Sequence, residues 1–300
     1  MHQLEIKRHL GPDDVESVGE LLRLAEDVDG HHPLGDHDWV DLAIGGRRGF
    51  CGFVGWEDGL EHPVGYAQVT RKEENWAIEL VVDPRHRRRL GSIGPALLGA
   101  GLDVVRAEGG GHVHWWVYKP SEAHDEIAAT VGLHRGRDLS QMRRPLPVDE
   151  PYELTTRPFV PGVDDKAWLE VNNRAFDWHP EQGGWTEATL QERGAEDWFD
   201  PEGFLLHEQG GRLAGFCWTK VHADDDPPLG EIYVVAVDPD FKGQGRGRGL
   251  VLAGLDHLHR VRGIDVGMLY VDAGNASAVR LYEKLGFTVD HVDRAFVGDV

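Results

Sequence analysis

The chain has 300 residues, 40% of them hydrophobic, and a formal net charge of -21 from 52 Asp and Glu against 31 Lys and Arg. That length buries one large core or two ordinary ones, while the acidity argues against a nucleic-acid surface, which needs clustered cations. No run reaches the eighteen or so apolar residues of a membrane-spanning helix, and MHQLEIKRHL lacks a signal peptide's apolar centre, so a cytoplasmic protein is expected. Cys51 and Cys217 stand at corresponding places in two halves of the sequence and read as reduced core residues rather than a disulfide.

In chain order, the first half carries VVDP at Val81–Pro84, the basic run RHRRRLGSIG at Arg85–Gly94, and IAATVGL at Ile127–Leu133. Between them, HVHWWVY with Trp115 and Trp116 reads as a buried strand. Arg143–Pro158, rich in Pro and charge, has no strand or helix periodicity and reads as a linker. Two domains are therefore expected, residues 1–147 and 148–300. In the second half, FLLHEQ and LAGFCWTKV are strand-like runs joined by Gly210-Gly211, suited to the positive φ of a tight hairpin. EIYVVAVDP at Glu231–Pro239 continues the sheet, and residues 249–261 place apolar side chains on one helical face. MLYVDAG is a further strand, and Asn275 is a candidate N-cap for a helix holding Ala278, Leu281 and Tyr282. The predicted class is α/β (α+β), a mixed sheet with helices.

The second half repeats the series of the first: a strand ending in Val-Asp-Pro, a basic loop, a helix, a strand and a closing helix. An acidic chain that keeps two compact basic loops implies a small anionic ligand. Lys242-Gly243-Gln244-Gly245-Arg246-Gly247-Arg248 follows a strand and opens a helix, so its backbone N–H groups and the helix N-terminus suit a diphosphate. It is neither a Rossmann fingerprint nor a Walker loop. Taken alone, a Gly/Arg-rich turn is more often a solvated loop.

With VVAVDP before it and NASAVRLYEKLGF after it, the loop resembles the acetyl-CoA signature of the GNAT N-acetyltransferase superfamily. Lys242 stands where that family usually has Arg or Gln. The tandem arrangement, with HPEQGGW, GFCWTKVH and GEIYVVAVDP, is similar to the mycothiol synthase family over nearly the whole chain. The resemblance implies two GNAT-like domains with mostly antiparallel twisted sheets and acetyl-CoA as co-substrate. It also implies a small pseudodisaccharide substrate, cysteinyl-glucosaminyl-inositol. By the same resemblance, acetyl-CoA is bound by Val235, Ala236 and Val237, by residues 242–248, and by Asn275, Ala276, Ser277, Ala278, Val279 and Arg280. In the first domain the matching positions are Val81, Val82 and Asp83, with Arg89, Leu90, Gly91, Ser92, Ile93 and Gly94. Substrate contacts fall on Asp36, Glu181, Lys220, Glu231 and Tyr270.

Acetyl transfer to an amine needs a base, an oxyanion site and an acid for the departing thiolate. Glu231 opens the strand before the loop and is the candidate base; a regular strand puts Glu231, Tyr233 and Val235 on one face. A solvated charge at a strand start is the plainer alternative. Tyr282 is the candidate acid, with ring packing as its alternative, and the amides of Val235–Val237 are candidate oxyanion donors. In the first domain Trp76 aligns with Glu231, Ile93 with Gly247, Pro95 with Gly249 and Ala128 with Tyr282, so that domain is expected not to transfer acetyl groups. Arg87, Arg88 and Arg89 there still supply cationic charge. Seventeen scattered His show no metal-site spacing, so no metal is expected. Trp178, Trp185 and Trp198 are candidate walls of an acceptor pocket. Competing readings are a tandem acetyltransferase for another amine, such as an aminoglycoside or a peptide N-terminus, and a non-catalytic acyl-CoA sensor. A monomer is expected.

Overall fold

The computed structural model describes every residue except 1–2, 36–38, 40, 43, 47–48, 73–74 and 180–181. Two compact units emerge, Met1–Asp138 with Val292–Val300, and Leu139–His291. This division differs from a cut after residue 147. The segment read as linker begins inside a strand, β6 (His134–Pro145), which is laddered to its neighbours and so cannot be a free connection.

The first unit contains β1 (Gln3–Lys7), β2 (Phe50–Trp56), β3 (Gly65–Arg71), β4 (Asn75–Val82), β5 (His112–Tyr118) and the distal part of β12 (Thr288–Asp299). The sheet runs β1-β2-β3-β4-β5-β12, antiparallel except for β4 against β5. β12 pairs Asp293–Asp299 with His112–Tyr118 and buries Phe296 in the core among Trp115, Ile78 and Leu98. The helix Leu90–Ala107 covers one face; Gly101 lets it approach so closely that a Cβ there would lie 2.6 Å from Ile78 Cδ1.

The second unit contains the rest of β6, with β7 (Arg157–Pro158), β8 (Phe204–Gln209), β9 (Arg212–His222), β10 (Leu229–Val237) and β11 (Val266–Asp272), in the order β6-β11-β10-β9-β8-β7. Only β10 and β11 are parallel. The β8–β9 hairpin turns at Gly210 and Gly211, with φ of 60° and 76°. The helix Arg246–Arg260 packs its apolar side on one face, joining Leu250, Leu255 and Leu258 to Cys217 and Ile232. Trp168, Trp185, Phe204, Phe216 and Trp218 fill the other face. Each sheet thus buries alternate side chains against different partners, as the period-2 pleat requires.

Cys51 and Cys217 are both free and fully buried. They are not equivalent in the fold, however: Cys51 lies on β2, the outer strand of its hairpin, and Cys217 on β9, which corresponds to β3. Among the described residues, no helix is long and apolar enough to cross a membrane.

Candidate active site in the second unit

β10 and β11 are laddered only from Leu229 to Glu231, against Val266 to Met268, although β10 continues to Val237 and β11 to Asp272. Past Glu231 the two strands splay. On its other edge β10 stays paired with β9, but the register slips between Ile232↔Thr219 and Val234↔Trp218, leaving Tyr233 as the extra residue of a bulge. A bulge bends its strand and raises the local twist, which accounts for the splay. The Tyr233 ring is held by edge contacts to Trp198 at 4.9 Å and Trp218 at 5.3 Å. The backbone of residues 233–237 that faces β11 is therefore open to an extended ligand.

The bulge also re-aims side chains. Ile232, Val235 and Val237 join the core under the helix Arg246–Arg260, whereas Tyr233, Val234 and Ala236 join the aromatic core. Glu231 and Val235 thus lie on opposite faces, unlike the regular strand expected from sequence. Glu231 itself is 6% exposed. Its Oε2 is 2.8 Å from His222 Nε2.

The ladders place Lys220, Glu231, Met268 and Arg143 in one row across β9, β10, β11 and β6. Lys220 Nζ sits 4.8 Å over the Trp198 ring. Tyr270, two residues along β11 from Met268, is 39% exposed, and its hydroxyl accepts from Gln141 Nε2 at 2.8 Å. Arg143 Nε donates to Gln141 Oε1 at 2.6 Å. Lys220, Glu231 and Tyr270 therefore share a face, whereas Asp36 and Glu181 lie outside the described residues. Of the three tryptophans read as pocket walls, Trp198 borders this face, Trp185 is core against Trp168, and Trp178 is exposed.

At the far end of β10, Asp238 accepts from Asp240 N and pairs with Arg174 at 3.0 Å, fixing the turn. Gly243 and Gly245 take φ of 82° and 74°, and Gly245 caps the helix Arg246–Arg260. A Cβ at either glycine would meet nothing within 4 Å, so backbone N–H groups can be approached from solvent. Arg246 Nη1 donates to Phe241 O at 3.2 Å, while its Nε is buried with no hydrogen-bond partner among the described residues. Arg248 Nη1 donates to Pro151 O. A cavity of about 390 Å³ opens beside Gln244, Gly245, Arg246 and Arg248. This donor-rich, left-handed turn fits a diphosphate.

Asn275 Oδ1 accepts from Ala278 N at 3.1 Å and caps the helix Ala276–Lys284. That helix carries Tyr282 into the core with Cys217, Ile232 and Leu250, where its ring meets Phe287 edge-on at 5.9 Å. Burial pushes the phenol up to about 12, so it keeps its proton at neutral pH. Glu231 and Tyr282 do not touch. They approach from opposite faces of β10, and the splay is the gap between them.

A splayed parallel pair, a bulge and a glycine loop are joined by sequence similarity. The acetyltransferase (GNAT) family model matches residues 16–133 and 168–287. The chain belongs to the GNAT acetyltransferase family. It is 47% identical to a mycothiol acetyltransferase of Thermobispora bispora over 94% of this chain and 95% of that one. A mycothiol acetyltransferase of Acidimicrobium ferrooxidans is 41% identical, covering 98% and 96%. Two solved structures share the fold: a GCN5-related N-acetyltransferase from Sphaerobacter thermophilus (24% identity, TM-score 0.76, covering 100% of this chain and 96% of that one) and a tandem GNAT protein from the clavulanic acid pathway (18%, 0.69, 99% and 98%). Membership in the GNAT family implies an acyl-CoA co-substrate.

The other GNAT unit keeps part of this apparatus. β4 and β5 are laddered only from Asn75 to Ile78, against His112 to Trp115, so the splay is present. The β3–β4 register is continuous, however, and there is no bulge. Because of that missing residue, the position opposite Glu231 is Ala77 rather than Trp76: Thr70↔Ala77↔His114 in the first unit corresponds to Lys220↔Glu231↔Met268 in the second. Trp76 is core and donates from Nε1 to Gly110 O. The loop is wound into a 3-10 turn, Pro84–Arg89, and Gly91, Ser92, Ile93 and Gly94 are already helical. Arg87 pairs with Asp29 and Arg89 with Glu57, so two of its arginines are engaged within the unit. Ala128 is buried where the second unit has Tyr282. His62, Asp83 and His86 come within ligand distance of one another, but both Asp83 oxygens accept from Arg85, whose cation competes with any metal.

Sequence reasoning missed His222, Gln141 and Arg143. His222 was legible only through β9–β10 register, and the other two were assigned to or beside a linker whose first residues, Arg143–Pro145, are the end of a strand.

Proposed function

We propose that the second unit transfers the acetyl group of acetyl-CoA to the cysteinyl amine of desacetylmycothiol, cysteinyl-glucosaminyl-inositol, giving mycothiol and CoA. The observation that carries this reading is near-full-length similarity to mycothiol acetyltransferases in a chain that keeps a buried carboxylate at the mouth of the splay. An α-amino group with a pKa of about 8 arrives largely protonated at neutral pH. Glu231, anchored at Oε2 by His222, takes that proton and frees the nitrogen lone pair for attack on the thioester carbonyl. Amides of residues 235–237, beyond the end of the β11 ladder, stabilise the oxyanion. Tyr282 donates its proton to the departing thiolate.

Lys220 and Tyr270 bind the polar acceptor, whose hydroxyls need hydrogen-bond partners when buried, and Asp36 and Glu181 are assigned to the same task. Acetyl-CoA lies along residues 235–237, with its diphosphate on residues 242–248 and its thiol end toward residues 275–280. The first unit binds acetyl-CoA in its own splay, at residues 81–83 and 89–94, without transferring it. The protein is taken to be a cytoplasmic monomer. The deciding experiment offers acetyl-CoA with cysteinyl-glucosaminyl-inositol, an aminoglycoside and a peptide, and follows CoA release. Turnover with the first alone is expected; turnover with only the others would sink the assignment, and binding without any turnover would make the chain a sensor.

A further inference from the structure

His222 is the final residue of β9, and its ring reaches across to β10. Its Nε2 lies 2.8 Å from Glu231 Oε2; the two side chains are 26% and 8% exposed. Among the described residues this is the single hydrogen bond that the Glu231 carboxylate makes. We infer that His222 is a positioning residue: its Nε2–H fixes the rotamer of Glu231 and leaves Oε1 for the acceptor amine. The inference rests on the reading of Glu231 as the base.

Three torsions separate a glutamate carboxylate from its backbone, so a base at the mouth of a cleft needs an anchor. A misplacement of about 1 Å can cost about 100-fold in rate. Lys220, opposite Glu231 in the ladder, is drawn over the Trp198 ring instead. Arg143 is turned to Gln141 and Asp290. Tyr270 is bound by Gln141, and Tyr233, which feels the charges of Arg193, Glu231 and Glu196, packs its ring on Trp198 and Trp218. Among the described residues, the side chain that hydrogen-bonds the Glu231 carboxylate is His222, and the anchor falls to it. The alternative is an edge ion pair that only steadies the end of β9.

The test is a double-mutant cycle on the full chain, with acetyl-CoA and cysteinyl-glucosaminyl-inositol as substrates. His222→Leu and His222→Gln are each made in the wild-type and Glu231→Gln backgrounds. Glutamine places an N–H donor near the Nε2 position, so it serves as the conservative variant. His222→Leu is expected to lower kcat about 10- to 50-fold with the acetyl-CoA KM within about 2-fold, and His222→Gln to return to within about 3-fold of wild type. In the Glu231→Gln background, His222→Leu should change kcat by less than about 2-fold, since the two residues act as a unit. An equal loss in both backgrounds, or a glutamine variant as impaired as the leucine one, overturns the inference. If the leucine variant does not fold, His222→Asn, whose shorter arm cannot reach, takes its place against His222→Gln. Wild-type turnover of Glu231→Gln alone would instead sink the base assignment, before any His222 variant is read.

Discussion

Glu231 is a carboxylate buried to 6% exposure with one hydrogen bond among the described residues, an arrangement that costs stability and leaves the other oxygen for a ligand. Glu231→Gln is therefore expected to lower kcat about 100-fold or more while leaving the acetyl-CoA KM nearly unchanged, with the loss steepest at low pH where the amine holds its proton. Steady-state kinetics across pH check this, and unaltered kcat would remove Glu231 from the mechanism. Tyr282→Phe keeps the ring and loses the proton, and kcat should fall about 10- to 100-fold. The same variant has a signature in stability. The phenol's folded pKa is raised from 10.0 to about 12 by burial. Its contribution is thus fully present below pH about 10 and is lost as pH rises through about 12, up to about 3 kcal/mol. Thermal melts near pH 11 should therefore show a smaller alkaline loss for Tyr282→Phe than for wild type. At this scale the motif around them singles out the glutamate and the tyrosine as candidates. Their placement on opposite faces of β10 was not legible, because it depends on one extra residue within the apolar run that follows Glu231, which carries no local mark of a bulge.

That extra residue, Tyr233, distinguishes the two parallel pairs. Strand identity, hairpin turns and the Asn275 cap were readable, since they depend on local pattern and on φ requirements. A bulge leaves almost no local trace, so the sequence alignment paired Glu231 with Trp76 when the ladders pair it with Ala77. The helix Arg246–Arg260 was likewise expected, but not how closely it packs. A Cβ on Gly254 would stand 2.6 Å from Cys217 Sγ and 2.8 Å from Ile232 Cδ1. Gly254→Leu must push the helix from the sheet just before the bulge. It is expected to cost about 1–3 kcal/mol by overpacking and to weaken acetyl-CoA binding as well as kcat, read by calorimetry and melting temperature. A variant with wild-type melting and binding would mean that the splay does not depend on this contact.

At the scale of the molecule, the repeat was visible in the sequence, but the exchange of strands between its copies was not. β12 carries neither a glycine turn nor a proline at the point where residues pass from one unit to the other, so nothing in its composition marks the crossing. Two acetyl-CoA molecules per chain are expected in calorimetry, one in each splay, with turnover abolished by Glu231→Gln alone. A stoichiometry of one would mean that the glycine loop, rather than the splay, holds the co-substrate. A chain shortened after His291 should lose amide protection in β5 and in the helix Leu90–Ala107, measured by hydrogen exchange, because Phe296 and the β5 ladder leave with the missing strand. Equal protection in both chains would show that the first sheet is complete without β12. The strand exchange also sets an order of events during synthesis. Domains usually close as they leave the ribosome, N-terminal first, yet here the first unit must wait with the β5 edge bare until the whole second unit has been made. An interrupted chain would carry an unpaired strand edge, the feature that invites aggregation and proteolysis, so cells would accumulate the finished protein and clear its fragments.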